Sequence, residues 1–299
     1  MLSQIYENCN LCERRCAVNR NIRLGYCGMP SELYVSRAAL HFWEEPLISG
    51  TRGSGTIFFS GCSLGCVFCQ NSEISRGISG KKITTEHLAK IMLDLMHSGA
   101  HNINLVTPTH YAPTVREAIL LAKSMGLSLP IVYNTGSFDT VETLKMLEGL
   151  VDIYLPDLKY LLPKTANKYS KAPSYPDVAR AAISEMVRQT GAAALGSDGT
   201  LRRGTVVRIL LLPSHVAEAK LSLKYLIDTY GDDIYVSLMN QYTPMRDMPS
   251  PLDRRVTRYE YRDLLTYAEK IGLKNGFVQE LGTAEESYIP PFDNTGIEE

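Results

Sequence analysis

The chain has 299 residues, which suits one α/β barrel of about 250 residues with a short extension, and 44% of them are hydrophobic, enough for a globular core and too many for a disordered chain. Lys and Arg total 31 against 32 Asp and Glu, a formal charge of −1 with no long basic run, which argues against nucleic acid as a partner. No apolar run reaches the ~20 residues a membrane helix needs, and Met1–Glu7 lacks the basic-then-apolar order of an export signal, so a cytoplasmic location is expected.

Residues 1–54 read as a Cys-rich metal-binding extension and connector. Cys9, Cys12, Cys16 and Cys27 are spaced C-x2-C-x3-C-x10-C, a closed set of four thiolates. In a chain without an export signal such clusters read as metal ligands, not disulfides. A structural zinc and a second 4Fe–4S cluster both fit four thiolates. Gly25 and Gly28 flank the last turn, where backbone must approach a metal closely. Residues 33–40 are expected to form a strand. Glu44 and Glu45 are adjacent, so in extended chain they point to opposite faces and read as rim charges. Residues 48–55 are a glycine-rich turn without the lysine and spacing of a phosphate-binding loop.

From residue 55 to 283 strand and helix signals alternate, the pattern of a parallel sheet with crossover helices. Strands are expected at 56–60, 102–106, 130–133, 151–155, 205–212 and 234–239, with a candidate short one at 276–279. Helices are expected from Thr84 to Gly99, then at 113–125, 139–147 with Asp139 as cap, 177–189, 217–230 and 257–270. Residues 197–204 read as a turn with solvated arginines. The tail, 284–299, reads as irregular.

Three more cysteines, Cys62, Cys66 and Cys69, follow the first of these strands at spacing C-x3-C-x2-C. A 4Fe–4S cluster is normally held by four thiolates. Three therefore leave one iron open, and an open coordination site is where metal chemistry happens. The competing reading is a three-cysteine zinc site completed by a distant histidine, or simply buried cysteines.

In parallel barrels the chemistry sits at the C-terminal strand ends. That rule selects Thr107, Thr109 and His110 after the second strand, with His110 equally readable as a packed or solvent histidine, Asn134 after the third, and Asp157 and Lys159 after the fourth. It also selects Asn240 and Gln241 after the sixth. Asp157 and Lys159 are two apart and share a face in extended chain. Arg208 interrupts an otherwise apolar strand, so it needs a partner. A ligand carboxylate serves, as does a protein carboxylate such as Asp157 or an N-terminal glutamate.

The cysteine motif, with Phe68 inside it and Gln70-Asn71 after it, resembles the radical S-adenosylmethionine (SAM) superfamily, and within it the relatives of pyruvate formate-lyase activating enzyme. The resemblance implies a partial (β/α)6 TIM-like barrel. It implies a 4Fe–4S cluster on Cys62, Cys66 and Cys69 that binds SAM and cleaves it reductively to a 5′-deoxyadenosyl radical. It also implies an electron donor such as flavodoxin or ferredoxin, and a glycyl radical enzyme as protein substrate. Asn134, Asp157, Lys159, Arg208, Thr107 and Thr109 become candidate SAM contacts. Many relatives hold the SAM amino group with Gly-Gly-Glu after the second strand, whereas this chain has Thr107-Pro108-Thr109-His110. Radical modification of a small molecule, peptide or RNA is an alternative, as is a non-catalytic iron–sulfur redox protein.

Overall fold

The computed structural model describes residues 2–77, 79–245, 247–279 and 290–298. Ahead of the barrel come α1 (Leu2–Glu7), β1 (Leu33–His41) and the one-turn α2 (Pro46–Ser49). Then follow β2 (Ser54–Phe59), α3 (Ser72–Ser75), β3 (Lys81–Ile83), α4 (Thr85–His97), β4 (Ile103–Val106), α5 (Ala112–Ser124), β5 (Ile131–Thr135), α6 (Val141–Met146) and β6 (Ile153–Pro156). The chain continues through α7 (Pro163–Ser170), α8 (Tyr175–Thr190), β7 (Ala194–Leu195), β8 (Leu201–Leu210), α9 (Val216–Tyr230), β9 (Tyr235–Met239), α10 (Arg258–Lys270) and β10 (Gly276–Val278).

Among the described residues one ten-stranded sheet runs in the order β10-β9-β8-β6-β5-β4-β2-β1-β3, with β7 paired to β8. From β2 through β10 the neighbours along this path are parallel. β1 and β3 extend the edge antiparallel. β10 and β3 stand at opposite ends and the sheet does not close. This is the expected α/β partial barrel. The six expected strands are β2, β4, β5, β6, β8 and β9, and the short candidate is β10.

Local chemistry explains the helix boundaries. Thr84 caps α4 by accepting the His87 N–H, and Leu88, Ile91, Met92 and Leu95 lie buried along one face. Thr257 and Glu260 form a reciprocal capping box on α10. The helix expected at 139–147 starts later, at Val141, with Thr140 as cap. Asp139 is unavailable because Tyr133 Oη and Thr135 Oγ1 donate to its carboxylate at 2.8 and 2.6 Å. The turn expected at 197–204 ends at Thr200, since Leu201 is buried and already belongs to β8; Arg202 and Arg203 are exposed as expected.

The barrel interior is built in layers. Val132, Ile153, Leu155 and Val206 make an apolar floor closed by Ile48 of α2. Two residues further along β5, β6 and β8 the same face carries Asn134, Asp157 and Arg208. The segment joining β1 to β2 is pinned inside this layer, with Asn102 donating to the Ile48 carbonyl at 2.7 Å.

The expected barrel end at 280–283 and the tail at 284–289 lie outside the described residues. Residues 290–298 have no regular structure, as expected, yet they bind the β1 edge. Asn294 N–H donates to Ser36 O at 3.1 Å and Ala38 N–H to Thr295 O at 2.9 Å.

Candidate functional site

The loop from β2 to α3 presents Cys62, Cys66 and Cys69. Gly61 adopts φ +84, and a side chain there would meet the Cys27 carbonyl at 2.8 Å, so only glycine lets the two cysteine loops touch. Phe68 anchors the loop edge-on against Tyr169, Tyr160 and Tyr242, with ring centroids 6.1, 6.3 and 6.3 Å away. Val67 N–H donates to Tyr169 O at 2.9 Å. Two of the sulfurs receive hydrogen bonds: Leu64 N–H donates to Cys62 Sγ at 3.4 Å, and Ser170 Oγ to Cys66 Sγ at 3.1 Å. Such donors favour thiolate over thiol. Burial pushes the Cys69 thiol up to about 11, and the neighbouring Cys62 and Cys66 add to it. Three adjacent thiolates thus need a cationic centre to hold them deprotonated.

The three cysteines line a cavity of about 230 Å³ at the C-terminal strand ends. Asn134, Asp157, Lys159, Arg208 and Thr107 line it too, so the structure gathers most of the expected contacts around the cysteine loop. Asp157 joins both cations: Lys159 Nζ and Arg208 Nε each lie 2.7 Å from its oxygens. Burial pulls the Asp157 carboxyl up, but Arg208 and Lys159 outweigh it and hold it below the usual range. Burial likewise opposes the charge on Arg208 and Lys159, and Asp157 more than restores it. Arg208 also donates to Asn134 Oδ1 at 2.7 Å.

The remaining partner of Arg208 is Glu44, 3.2 Å from its guanidinium. Glu44 and Glu45 were expected on the rim, and the structure corrects this. The segment before α2 turns into the barrel, and Glu44 Oε1 accepts from Asn104 and Asn134, both at 3.2 Å. Glu45 is 8% exposed, and its Oε2 has no hydrogen-bond partner among the described residues. Burial pushes its carboxyl up to about 7, with Arg208 opposing and Glu44 assisting. No periodicity in the sequence marks this inward turn; the one available signal is that a buried Arg208 requires carboxylates.

Thr109 departs from expectation, and His110, for which a pocket place and a packed place were equally open, takes the packed one. Both are buried, and neither lines the cavity. Thr109 Oγ1 stands 3.5 Å from Thr135 Oγ1. His110 Nε2 lies 2.7 Å from Ser60 O, and burial pushes its pKa down to about 3, helped by Arg20. The short 3-10 turn at Thr109–Tyr111 rotates them into the wall, leaving only Thr107 facing the ligand space. Gln241 lines the cavity and its carbonyl accepts from Gln70 Nε2 at 2.8 Å, while Asn240 is buried behind it.

The N-terminal cysteines gather separately. Cys9, Cys12 and Cys27 are buried and Cys16 is half-buried. Burial pushes the Cys12 thiol up to about 12, and Cys27, Cys16 and Cys9 are all close enough to add to it. Among the described residues no three or more His, Cys, Asp or Glu side chains converge so as to hold a single metal ion. A cubane does not require that, since each thiolate takes its own iron at a separate corner. No helix among the described residues is long and apolar enough to cross a membrane.

Comparison with known proteins bears on this arrangement. Residues 56–191 match the model of the Radical SAM superfamily. An uncharacterized protein, MJ0674 of Methanocaldococcus jannaschii, is 30% identical over 281 residues, which cover 90% of this chain and 76% of that protein. Among solved structures, Streptococcus suis SuiB bound to precursor peptide SuiA aligns with TM-score 0.51 at 13% identity, over 74% of this chain and 47% of SuiB. SuiB bound to S-adenosylmethionine aligns with TM-score 0.50 at 10% identity, over 74% and 48%. The aligned part is thus about half of SuiB, and identity this low speaks to fold alone. Residues 56–191, which carry the three-cysteine loop at the mouth of the open parallel barrel, are thus similar to the Radical SAM superfamily, and most of the chain is similar to MJ0674.

Proposed function

We propose that this chain is a radical SAM enzyme whose SAM-binding 4Fe–4S cluster is held by Cys62, Cys66 and Cys69. The donor set fits: three thiols on one loop, two of them hydrogen-bonded at sulfur, opening onto a cavity of suitable polarity. When bound, the cluster supplies one electron to the SAM sulfonium, so that a 5′-deoxyadenosyl radical can take a hydrogen atom from substrate.

The chain's own part is binding and exclusion of water. The single observation that carries the reading is the mixed-charge group beside the cysteines. Glu44, Asp157, Lys159 and Arg208 contribute two negative and two positive charges in contact. An amino-acid zwitterion complements such a neutral lattice, its carboxylate meeting Arg208 and Lys159 and its ammonium meeting Glu44. Glu44 would then do the work of the absent Gly-Gly-Glu, arriving from a different element. Phe58, Val106, Leu210 and Met239 supply apolar wall that keeps water from a reactive radical. That SuiB, of similar fold, has been solved with SAM bound supports this assignment.

The finer reading is a polypeptide substrate, with a glycine hydrogen of a partner enzyme as the target. Its support is an exposed aromatic rim: Phe42 is 51% and Trp43 62% exposed, and Trp43 lines the cavity mouth. The test has two stages. Anaerobically reconstituted protein, reduced with dithionite and given SAM, should form 5′-deoxyadenosine; none forming with the iron intact would reject the enzyme reading. Anaerobic capture of partners followed by electron paramagnetic resonance should then reveal a glycyl radical; a product on a small molecule or RNA would redirect the substrate assignment.

A further inference from the structure

We infer that Cys9, Cys12, Cys16 and Cys27 hold a second 4Fe–4S cluster that relays electrons to the cluster at Cys62, Cys66 and Cys69. The inference begins with Arg20. Its side chain is 1% exposed, and among the described residues it forms no ion pair with a carboxylate. The guanidinium donates instead to the carbonyls of Met29, Pro30 and His110. It stacks over Tyr6 and Tyr111, at 4.9 and 5.3 Å from their ring centroids. Carbonyls satisfy its N–H groups but carry no net charge, and a buried cation needs a counter-charge. Its NH1 lies 3.9 Å from Cys9 Sγ. A metal centre with four thiolate ligands carries net negative charge and supplies what Arg20 lacks.

The surroundings are shaped for such a centre. A side chain on Gly25 would place its first carbon 3.6 Å from Cys27 Sγ and 3.9 Å from Cys16 Sγ, within the space the thiols frame. Arg15 and Ala17 hold left-handed backbone, φ 42 and 49, on either side of Cys16. Non-glycine residues take that conformation at a cost of about 1–3 kcal/mol each, which the surroundings must offset. Tyr26 N–H donates to Cys16 Sγ at 3.4 Å, as Leu64 N–H does to Cys62 Sγ. Tetrahedral zinc, with Zn–S of about 2.3 Å, would draw its four sulfurs to within about 4 Å of one another. Among the described residues neither cysteine set converges on one ion, and a cubane does not require it to.

The relay follows from contact between the two loops. Arg14, between Cys12 and Cys16, donates to the carbonyls of Ser63 and Leu64 at 2.9 Å each. Gly61 abuts the Cys27 carbonyl and Gly65 the Tyr26 ring. Electron transfer falls off steeply with distance, and a packed backbone contact gives a short path. One electron passes per cycle. A low-potential one-electron donor of the flavodoxin or ferredoxin class is oxidised, the N-terminal centre is reduced and reoxidised, and the electron ends on the second cluster. No proton or group moves with it. This use of the electron rests on the radical SAM reading; the presence of the cluster does not.

The experiment separates the two. The triple variant C62A/C66A/C69A, reconstituted anaerobically, should retain about four irons and four acid-labile sulfides and give a reduced-cluster resonance. Zinc in their place, or no metal, overturns the inference. Iron absent instead from C9A/C12A would indict the radical SAM reading and leave this one standing. For the relay, dithionite should reduce the remaining cluster of C9A/C12A at the wild-type rate, while reduced flavodoxin should do so at least tenfold more slowly; equal flavodoxin rates reject the relay. Should C9A/C12A fail to fold, Arg20→Gln decides. Removing a cation beside the centre should lower the reduced fraction of the N-terminal cluster at fixed potential, and an unchanged fraction refutes the placement.

Discussion

Two arginines, one buried and one half-buried, divide this molecule. Arg208, inside the barrel, lies among two carboxylates and an amide, Glu44, Asp157 and Asn134. Arg20, beneath the N-terminal cysteines, lies among carbonyls, tyrosine rings and sulfur. The first already has its counter-ions, so a ligand must insert into a balanced lattice and pair with both signs. Among the described residues the second has no carboxylate partner, so its region there is short of an anion. On the readings proposed above, the barrel site is a reversible binding site for a zwitterion, and the N-terminal nest a permanent seat for a charged centre. A ligand that comes and goes requires the protein to be self-consistent in its absence; a resident centre does not.

The largest effect that sharpens this contrast is on the cysteines of the barrel loop. Cys66→Ala should take SAM cleavage to the no-enzyme background, while the N-terminal set keeps its iron. Metal and sulfide counting beside a 5′-deoxyadenosine assay measures both, and retained cleavage would remove the loop from the chemistry. Next comes Arg208→Ala. It leaves half-buried Glu44 without its cation and Asp157 with Lys159 alone, so the loss of stability should approach, from below, the about 3–5 kcal/mol of a broken buried pair. Denaturant unfolding should show that loss, and SAM titration a Kd raised at least tenfold. Arg208→Lys should restore the charge and part of the stability, but not the fork that reaches Asp157, Asn134 and Glu44 together.

A smaller and more selective loss is expected for Glu44→Gln. The amide keeps the shape and an acceptor for Asn104 and Asn134, but removes the charge offered to an ammonium. Hydrogen bonds to charged groups contribute about 1.5–3 kcal/mol, so SAM affinity should fall by about 10- to 150-fold. A SAM analogue lacking the amino group should bind wild type and variant alike. If both ligands weaken equally, Glu44 serves only to hold Arg208.

Much of this was legible in the sequence, and what was not has a physical reason. The parallel strands declared themselves because strands buried on both faces are apolar runs. The helix limit at Thr84 followed from side-chain oxygen at the cap. Cys62, Cys66 and Cys69 were readable because a three-thiol spacing has few other uses, and Asp157, Lys159 and Arg208 because a strand end fixes which face they share. α7 escaped notice: Pro163–Ser170 is short and polar, its N-cap Leu162 makes no side-chain bond, and it ends on left-handed Lys171 instead of a glycine. Its Ser170 nonetheless donates to Cys66 Sγ. Glu44 was missed because its position depends on a loop entering the barrel, a matter of tertiary closure with no local period. Thr109 was misplaced, and His110 left open, for the converse reason: a strand-end position locates a residue, but a 3-10 turn decides where its side chain goes.

The subtlest expected effect concerns Glu45, beside the barrel arginine yet with one oxygen unpartnered among the described residues. Its carboxyl is pushed up to about 7 in the fold, chiefly by burial, from an ordinary value near 4.5. Between those values the unfolded chain has lost a proton that the folded chain keeps. Folding therefore binds a proton there, and stability declines as pH rises from about 4.5 to 7, then levels. The full decline is about 3–4 kcal/mol at 1.36 kcal/mol per pKa unit. Glu45→Gln removes the titration, so its stability relative to wild type should climb across that window. Denaturant unfolding at pH 5, 6, 7 and 8 measures the difference. A difference that stays flat with pH would mean the carboxyl ionises freely inside the fold, and that Arg208 shares its charge with three carboxylates instead of two.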